Sequence, residues 1–382
     1  MFKIFKTLWL VSFVLASATS YAGAIAPNPT APTVAAKSYI LQDFASGRVL
    51  AELNSEQRLP PASITKLMTA YVVSHELEAG NIDLADEVLI SEKAWRMVGS
   101  RSFIEVNTKV PVEVLLRGMI IQSGNDAAVA LAEHVAGSEE TFAQLMNQYA
   151  QQLGMVNTNY RNSTGLPDKD HYTTAKDIAI LSTATIRDFP EHYKWYAEKE
   201  FTYNDITQHN RNKLLWRDTS VDGLKTGHTE AAGYCLAASA KRSDMRLISV
   251  VLGTRSENAR AQETQKLFNY GFRFFETHDL YDAQAKIADI KVWKGADKLV
   301  NLGLDQSLAV TVPRGRYKEL VATTNIQQPV IAPIALGAPL GEVEIRLGDE
   351  LIAKQSLVAL QAVNEGSWWR KLLDALLLLI WG

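Results

Sequence analysis

Cysteine is almost absent from this 382-residue chain, Cys235 being the only one. No intramolecular disulfide can form, and a thiolate-built metal site has no support. Cys235 falls in an apolar stretch, where a small core side chain is expected rather than a reactive thiol. The seven histidines form no His-x-x-x-His pair and no Cys/His cluster, so neither a metal nor another cofactor is expected. A glycine-rich phosphate loop is missing too, as is any internal repeat. Charge of one sign is lacking: 39 basic residues against 42 acidic give −3, with the basic pairs scattered. Nucleic acid is therefore not expected as a partner. Neither terminal apolar run is long enough to span a bilayer. What remains is a chain of 47% hydrophobic content, enough for more than one core, whose chemistry must come from ordinary side chains.

Ser63 is the only serine with a lysine three residues on, Lys66. The segment around it reads as a buried helix: Ile64, Leu67, Met68 and Tyr71 follow the helical spacing, and Ala70, Val72 and Val73 close the other side. Pro60 and Pro61 stand before it, where a missing N–H costs a helix nothing, which places Ser63 in the first turn with Lys66 on the same face. Burial disfavours the ammonium form, so Lys66 becomes a base able to take a proton from the Ser63 hydroxyl. The competing reading is a lysine snorkelling at a helix start.

A second candidate is the only Lys-Thr-Gly triplet, Lys225, Thr226 and Gly227. It lies in a strand, and the turn at residues 241–244 marks a hairpin behind it. A glycine inside a strand lets another backbone approach closely, or else marks a bulge in an edge strand. Between the two motifs lie Ser123, Gly124 and Asn125, after an apolar helical run and before an alanine-rich helix. Alone that tripeptide suggests an N-cap, with Asn125 or Asp126 capping.

The order Ser-x-x-Lys, Ser-x-Asn, Lys-Thr-Gly resembles the penicillin-recognising serine acyl-transferases, a motif set tabulated for penicillin-binding proteins and class A β-lactamases. With Asn210, Asn212, Leu214 to Trp216, Asp222 to Thr229, Gly271 to Glu276 and Val312 to Arg316, the chain is more closely similar to the low-molecular-mass penicillin-binding proteins that are D-alanyl-D-alanine carboxypeptidases. The resemblance implies an α+β fold, with an antiparallel sheet packed against the helices carrying Ser63 and Ser123. It implies a substrate, the peptidoglycan stem peptide ending in D-Ala-D-Ala, and inhibition by β-lactams. It implies roles: Ser63 as acyl-ester nucleophile, Lys66 as general base, Ser123 as proton relay, Asn125 as substrate orienter, and the backbone N–H groups of Ser63 and His228 as oxyanion hole. Lys225, Thr226, Gly227, Arg260 and Arg211 would bind the substrate. Lys225 either lowers the Lys66 pKa by a fixed positive charge or attracts the substrate carboxylate with Thr226; Arg211 and Arg260 match positions near that carboxylate, or form surface ion pairs. Lys213 stands where some relatives have glycine. Transpeptidation, endopeptidase cleavage or weak β-lactamase activity are the related alternatives, and a non-catalytic wall-binding protein is the remaining one.

The flanks fit an exported protein. Lys3 and Lys6 precede the apolar run at residues 8–16, and small residues follow up to Ala22 and Ala24, as in a signal peptide over residues 1–24. Pro27, Pro29 and Pro32 then predict an extended leader. A catalytic domain is expected over residues 25–278. Beyond it Leu308, Val310 and Val312, then Val343, Ile345 and Leu347, alternate at the period of strands, which predicts a small all-β domain over 279–365. Residues 366–382 predict an amphipathic helix. Arg370, Lys371 and Asp374 gather on one side, opposite Leu372, Leu373, Leu376, Leu379 and Ile380, and tryptophans stand at its ends. Such a helix is expected to lie on a lipid bilayer surface through residues 367–381, at the periplasmic face of the inner membrane, or else to dock on the β domain.

Overall fold

The computed structural model describes residues 30–381. The expected signal peptide and the first part of the leader lie outside the described residues. The central element is an antiparallel sheet of five strands: β1 (Ser38–Asp43), β2 (Val49–Leu53), β3 (Val221–Thr229), β4 (Gly233–Arg242) and β5 (Met245–Thr254), in the spatial order β2-β1-β5-β4-β3. The two ends of the catalytic region thus meet in one sheet, through the pairing of β1 with β5.

Alternation along these strands explains their burial on both faces. Ile40, Cys235, Ala237, Ile248 and Val250 point to one side, where they join a core with α1 (Lys66–Glu78), α2 (Val112–Ile121), α3 (Asn125–Ala136), α4 (Glu139–Gln152) and α5 (Ala175–Asp188). Leu41, Leu236, Ala238, Leu247 and Val251 point to the other, against Leu267 and Phe268 of α6 (Glu257–Phe274). The small residues of β4 let helices approach both faces. Helices therefore cover both sides of the sheet, a broader arrangement than one layer carrying the two serines. Cys235 is fully buried and its thiol is pushed up to about 11 by burial, which makes it core rather than nucleophile.

Every residue from Lys66 to Ser74 in α1 is buried, as expected for a helix apolar all round. Ser63 sits just ahead of it, on a tight 3-10 turn over Ala62–Thr65 that leads into the α-helix at Lys66. The second motif also differs from expectation. The N-cap of α3 is Gly124, with no side-chain cap, so neither Asn125 nor Asp126 caps the helix; both side chains are engaged elsewhere.

The chain leaves α6 through the strand Phe275–Tyr281, which pairs with Leu308–Pro313; the expected join after His278 lies inside that strand. A separate six-stranded sheet follows, with its own core including Val300, Leu302, Val310, Val343, Ile345 and Leu357. Strands Pro339–Leu347 and Glu350–Ala359 form a hairpin that turns at Gly348, which has φ +60°. Asp43, fully buried, ties the two regions together. It accepts from Ser46 Oγ and N at 2.8 Å and from Thr277 Oγ1 at 2.7 Å, and Thr311 Oγ1 lies 2.6 Å from Ser46 Oγ.

The last helix, α7 (Trp368–Trp381), turns its polar side inward. Asp374 accepts from the Lys294 N–H at 2.6 Å, and Arg370 donates to the Ala296 carbonyl at 3.1 Å. Trp368, Trp369, Leu372, Leu373, Leu376 and Leu379 are exposed on the outer side. Among the described residues no helix is long and apolar enough to cross a membrane.

Candidate active site

The three motifs arrive from three elements and converge on one cleft of about 410 Å3. Ser63, Ser123, Asn125, Thr226, Gly227, His228, Arg211 and Arg260 all line it, beside Thr164, Gly165 and Leu166. Lys66 and Lys225 lie deeper, at 1% and 2% exposure. Two glycines make this convergence possible. A Cβ on Gly227 would stand 2.9 Å from the Pro61 carbonyl oxygen, and Gly165, at φ +84°, faces the Ala62 carbonyl so closely that a side chain there would overlap it. The close backbone approach expected at Gly227 is therefore that of the turn carrying Ser63.

Lys66 Nζ donates to Ser63 Oγ at 3.1 Å, to Asn125 Oδ1 at 2.7 Å and to the Thr164 carbonyl at 2.7 Å. Three oxygens and no carboxylate in contact describe an amine held in place but not paired as an ion. Burial, followed by the Arg211 charge, lowers its pKa to about 7; Asp126 and Glu139 pull the other way. A substantial neutral fraction at physiological pH is what a base needs.

The Lys225 ammonium is disfavoured even more strongly, by burial first and then by Lys66, Arg211 and Arg260. Its one hydrogen bond is a long 3.5 Å contact to the Thr226 carbonyl. Lys66 and Lys225 repel each other as ammoniums, and Arg211 disfavours the charge on both. Arg211 is exposed at the cleft. Arg260 is buried, donates to the Gly227 carbonyl at 3.2 Å and stands 5.7 Å from the centre of the Tyr234 ring. Lys213 pairs with Glu257 at 3.0 Å on the same side.

Ser123 is 2% exposed, adopts φ +72° and has no hydrogen-bond partner for its Oγ among the described residues. A buried hydroxyl left open at a cleft wall is free to serve a bound molecule. Asn125 is anchored at both ends of its amide, its Nδ2 donating to the Val98 carbonyl at 2.6 Å while Oδ1 accepts from Lys66, which leaves its second Nδ2–H for the cleft it lines. His228 stacks on Tyr234 at 4.0 Å and lies on β3, the sheet edge, where one row of backbone groups has no strand partner.

Some contributors carried no sequence signal. The Thr164 carbonyl is a backbone group, invisible to any motif. Asn162 Oδ1 accepts from the Gly165 N–H at 2.7 Å, and Glu139 accepts from Ser163 Oγ at 2.8 Å, shaping that turn. Asp126 accepts from the Ser102 N–H at 2.8 Å and from the Phe103 N–H at 3.0 Å, pinning the loop across the cleft. His171, held neutral with a pKa of about 4 by burial, lies 2.9 Å from Thr65 Oγ1. Their polar residue types were readable; their partners were not.

Residues 25–256 match the family D-alanyl-D-alanine carboxypeptidase. The chain belongs to that family. Residues 275–365 match the C-terminal domain of penicillin-binding protein 5. The carboxypeptidase is 45% identical to D-alanyl-D-alanine carboxypeptidase DacC of Escherichia coli, over 90% of this chain and 88% of that one. It superimposes on penicillin-binding protein 5 from Haemophilus influenzae with a TM-score of 0.86 and 44% identity, covering 88% of this chain and all 100% of the other. The ampicillin-bound penicillin-binding protein D2 of Listeria monocytogenes matches at 30% identity and a TM-score of 0.59, over 63% of this chain and 100% of that one. The fold is that of penicillin-binding proteins, α+β with antiparallel sheets, followed by an all-β domain. The activity is that of a serine-type D-Ala-D-Ala carboxypeptidase, a hydrolase of the cell wall.

Proposed function

We propose that this carboxypeptidase removes the terminal D-alanine of peptidoglycan stem pentapeptides through an acyl-enzyme on Ser63. The observation that carries the assignment is the buried Lys66 amine, 3.1 Å from Ser63 Oγ and lowered to about 7. Neutral Lys66 takes the Ser63 proton as Oγ attacks the carbonyl between the two D-alanines. The oxyanion is held by the backbone N–H groups of Ser63 and His228, donors aimed at charge that develops only in the transition state. Ser123 Oγ passes the proton to the leaving amine, which departs as D-alanine. Water then cleaves the ester.

Asn125 holds Lys66 through Oδ1 and orients the substrate amide with the second N–H of its Nδ2. Thr226, Arg211 and Arg260 meet the terminal carboxylate, with Lys225 behind them. The carboxylate is an anion that favours the Lys225 ammonium against its burial. A β-lactam acylates Ser63 by the same route. The test is labelling with a fluorescent penicillin: wild type takes the label and Ser63→Ala does not. Equal labelling of both removes Ser63 from the role. A diacylated peptide ending in D-Ala-D-Ala should release free D-alanine without a cross-linked product.

We infer the location from the residue patterns at 1–24 and 366–382. A signal peptide at residues 1–24 exports the protein, leaving a catalytic domain from residue 25 to the end of α6 and a β domain that begins with the strand at Phe275 and runs to residue 365. The helix at 366–382 attaches it to the periplasmic face of the inner membrane. The outward apolar side of α7, with stacked Trp368 and Trp369 3.7 Å apart, supports this reading.

A further inference from the structure

Arg211 reaches the cleft from a connection, residues 210–213, that joins the hairpin of strands Glu200–Tyr203 and Ile206–His209 to the short helix Leu214–Arg217. Its side chain makes no hydrogen bond or ion pair among the described residues. The main chain on either side is therefore what restrains it. We propose that Asn212 is a positioning residue for the known reaction: its bond to the strand of the Lys-Thr-Gly triplet holds Arg211 where the terminal carboxylate of the substrate is bound. The proposal rests on Arg211 meeting that carboxylate.

Burial is the first argument. Asn210 and Asn212 are 7% and 1% exposed, while Arg211 between them faces out. A buried side-chain amide needs partners at both ends. Asn210 Nδ2 donates to the Glu198 carbonyl at 2.9 Å, next to the hairpin, and its Oδ1 accepts from the Asn212 N–H at 2.9 Å. Asn212 divides its two ends differently. Oδ1 accepts from the Leu214 N–H at 3.1 Å, a local turn into the short helix, whereas Nδ2 donates to the Gly223 carbonyl at 3.0 Å, 11 positions away on β3. Asparagine is the shortest side chain that supplies an acceptor to one and a donor to the other.

The second argument is what the far end of that bridge is attached to. Gly223 stands two residues before Lys225 and is tightly packed, since a Cβ there would lie 2.7 Å from Tyr193 Oη, a hydroxyl that itself donates to Asp222 Oδ1 at 2.7 Å. The bridge thus ends on a fixed point of β3. It joins two parts of one cleft, because Thr226 and Gly227 enter from β3 and Arg211 from the connection. The Arg211 charge is felt at both Lys66 and Lys225, so its distance from β3 matters to both. Misplacing a substrate-positioning group by about 1 Å costs up to about 100-fold in rate.

The experiment measures kcat/KM for two diacylated peptides, one ending in D-Ala-D-Ala with its free carboxylate and one with that terminus amidated. Wild type should favour the free acid. Asn212→Ser keeps a hydroxyl for the Leu214 N–H and is too short to reach Gly223. Its acid-to-amide ratio should fall about tenfold, the size of one charge-assisted hydrogen bond. Arg211→Gln should lower the ratio likewise, and the double variant should lower it no further, because both changes remove one interaction. A merely structural role would slow both peptides together and leave the ratio at the wild-type value. That unchanged ratio in Asn212→Ser overturns the proposal, as does a double variant whose ratio falls by the product of the two single losses. Should Asn212→Ser not fold, Asn210→Ser, which frees the same connection from the Glu198 carbonyl, carries the same test. An Arg211→Gln ratio equal to wild type defeats the carboxylate reading and the positioning with it, whereas a fall in Arg211→Gln with none in Asn212→Ser defeats the positioning alone.

Discussion

If neutral Lys66 is the base, the rate must follow its protonation below pH 7. With a pKa of about 7, about half of the free enzyme is competent at pH 7, and only about one molecule in eleven at pH 6. Below that kcat/KM should fall tenfold per pH unit, with unit slope. The sign follows from the causes: burial and the Arg211 cation both disfavour the ammonium, so the competent form survives at lower pH than an ordinary lysine allows. Arg211→Gln removes one of the two causes and must move the limb to higher pH. Loss of a positioned general base costs about 10²–10⁴-fold, so Lys66→Ala should fold, bind substrate and acylate slower by that factor. The assay is release of D-alanine from a diacyl-D-Ala-D-Ala peptide between pH 5 and 9 at substrate concentrations well below KM, with penicillin acylation as a second readout. A profile flat from pH 5 to 8, or a limb moving to lower pH in Arg211→Gln, refutes the reasoning.

Three further outcomes are expected. Gly227→Ala places a Cβ 2.9 Å from the Pro61 carbonyl, pushing the Ser63 turn off β3; kcat/KM should drop roughly 10- to 100-fold while thermal melting moves little. Asp43→Ala strips a fully buried acceptor from Ser46 and Thr277; denaturant unfolding should show a loss of about 1–3 kcal/mol, with D-alanine release unchanged under native conditions. Deleting residues 367–382 should leave activity intact and abolish co-sedimentation with anionic vesicles; full retention on the vesicles removes α7 as the anchor.

Much of the site was readable because its chemistry restricts residue type. A serine and a lysine three residues apart at the head of an apolar helix gain meaning from the two motifs that follow in order, and the structure brings the pair to 3.1 Å. Gly227 was legible for the same reason, since a strand glycine signals close approach; which backbone approaches it was not. The turn at residues 241–244 announced a hairpin, but the order of the strands depends on pairings across some two hundred residues that no local pattern records. Thr164 was invisible because its carbonyl, not its side chain, touches Lys66. That Arg211 also presses on Lys66 was not readable, because it depends on how the folded cleft brings the two together. Asn125 and Asp126 read as helix caps because their side chains suit that use, yet tertiary partners claimed both.

The turn bearing Ser63 is gripped from two sides by Gly165 and Gly227, backbones about 102 and 164 positions farther along the chain. Neither grip can close until the segment around residue 163 and the edge strand have both docked. Acylation is thus a late privilege of the maturing molecule. A penicillin label, added at intervals during refolding, would date the moment at which distant parts of this polypeptide first lock together.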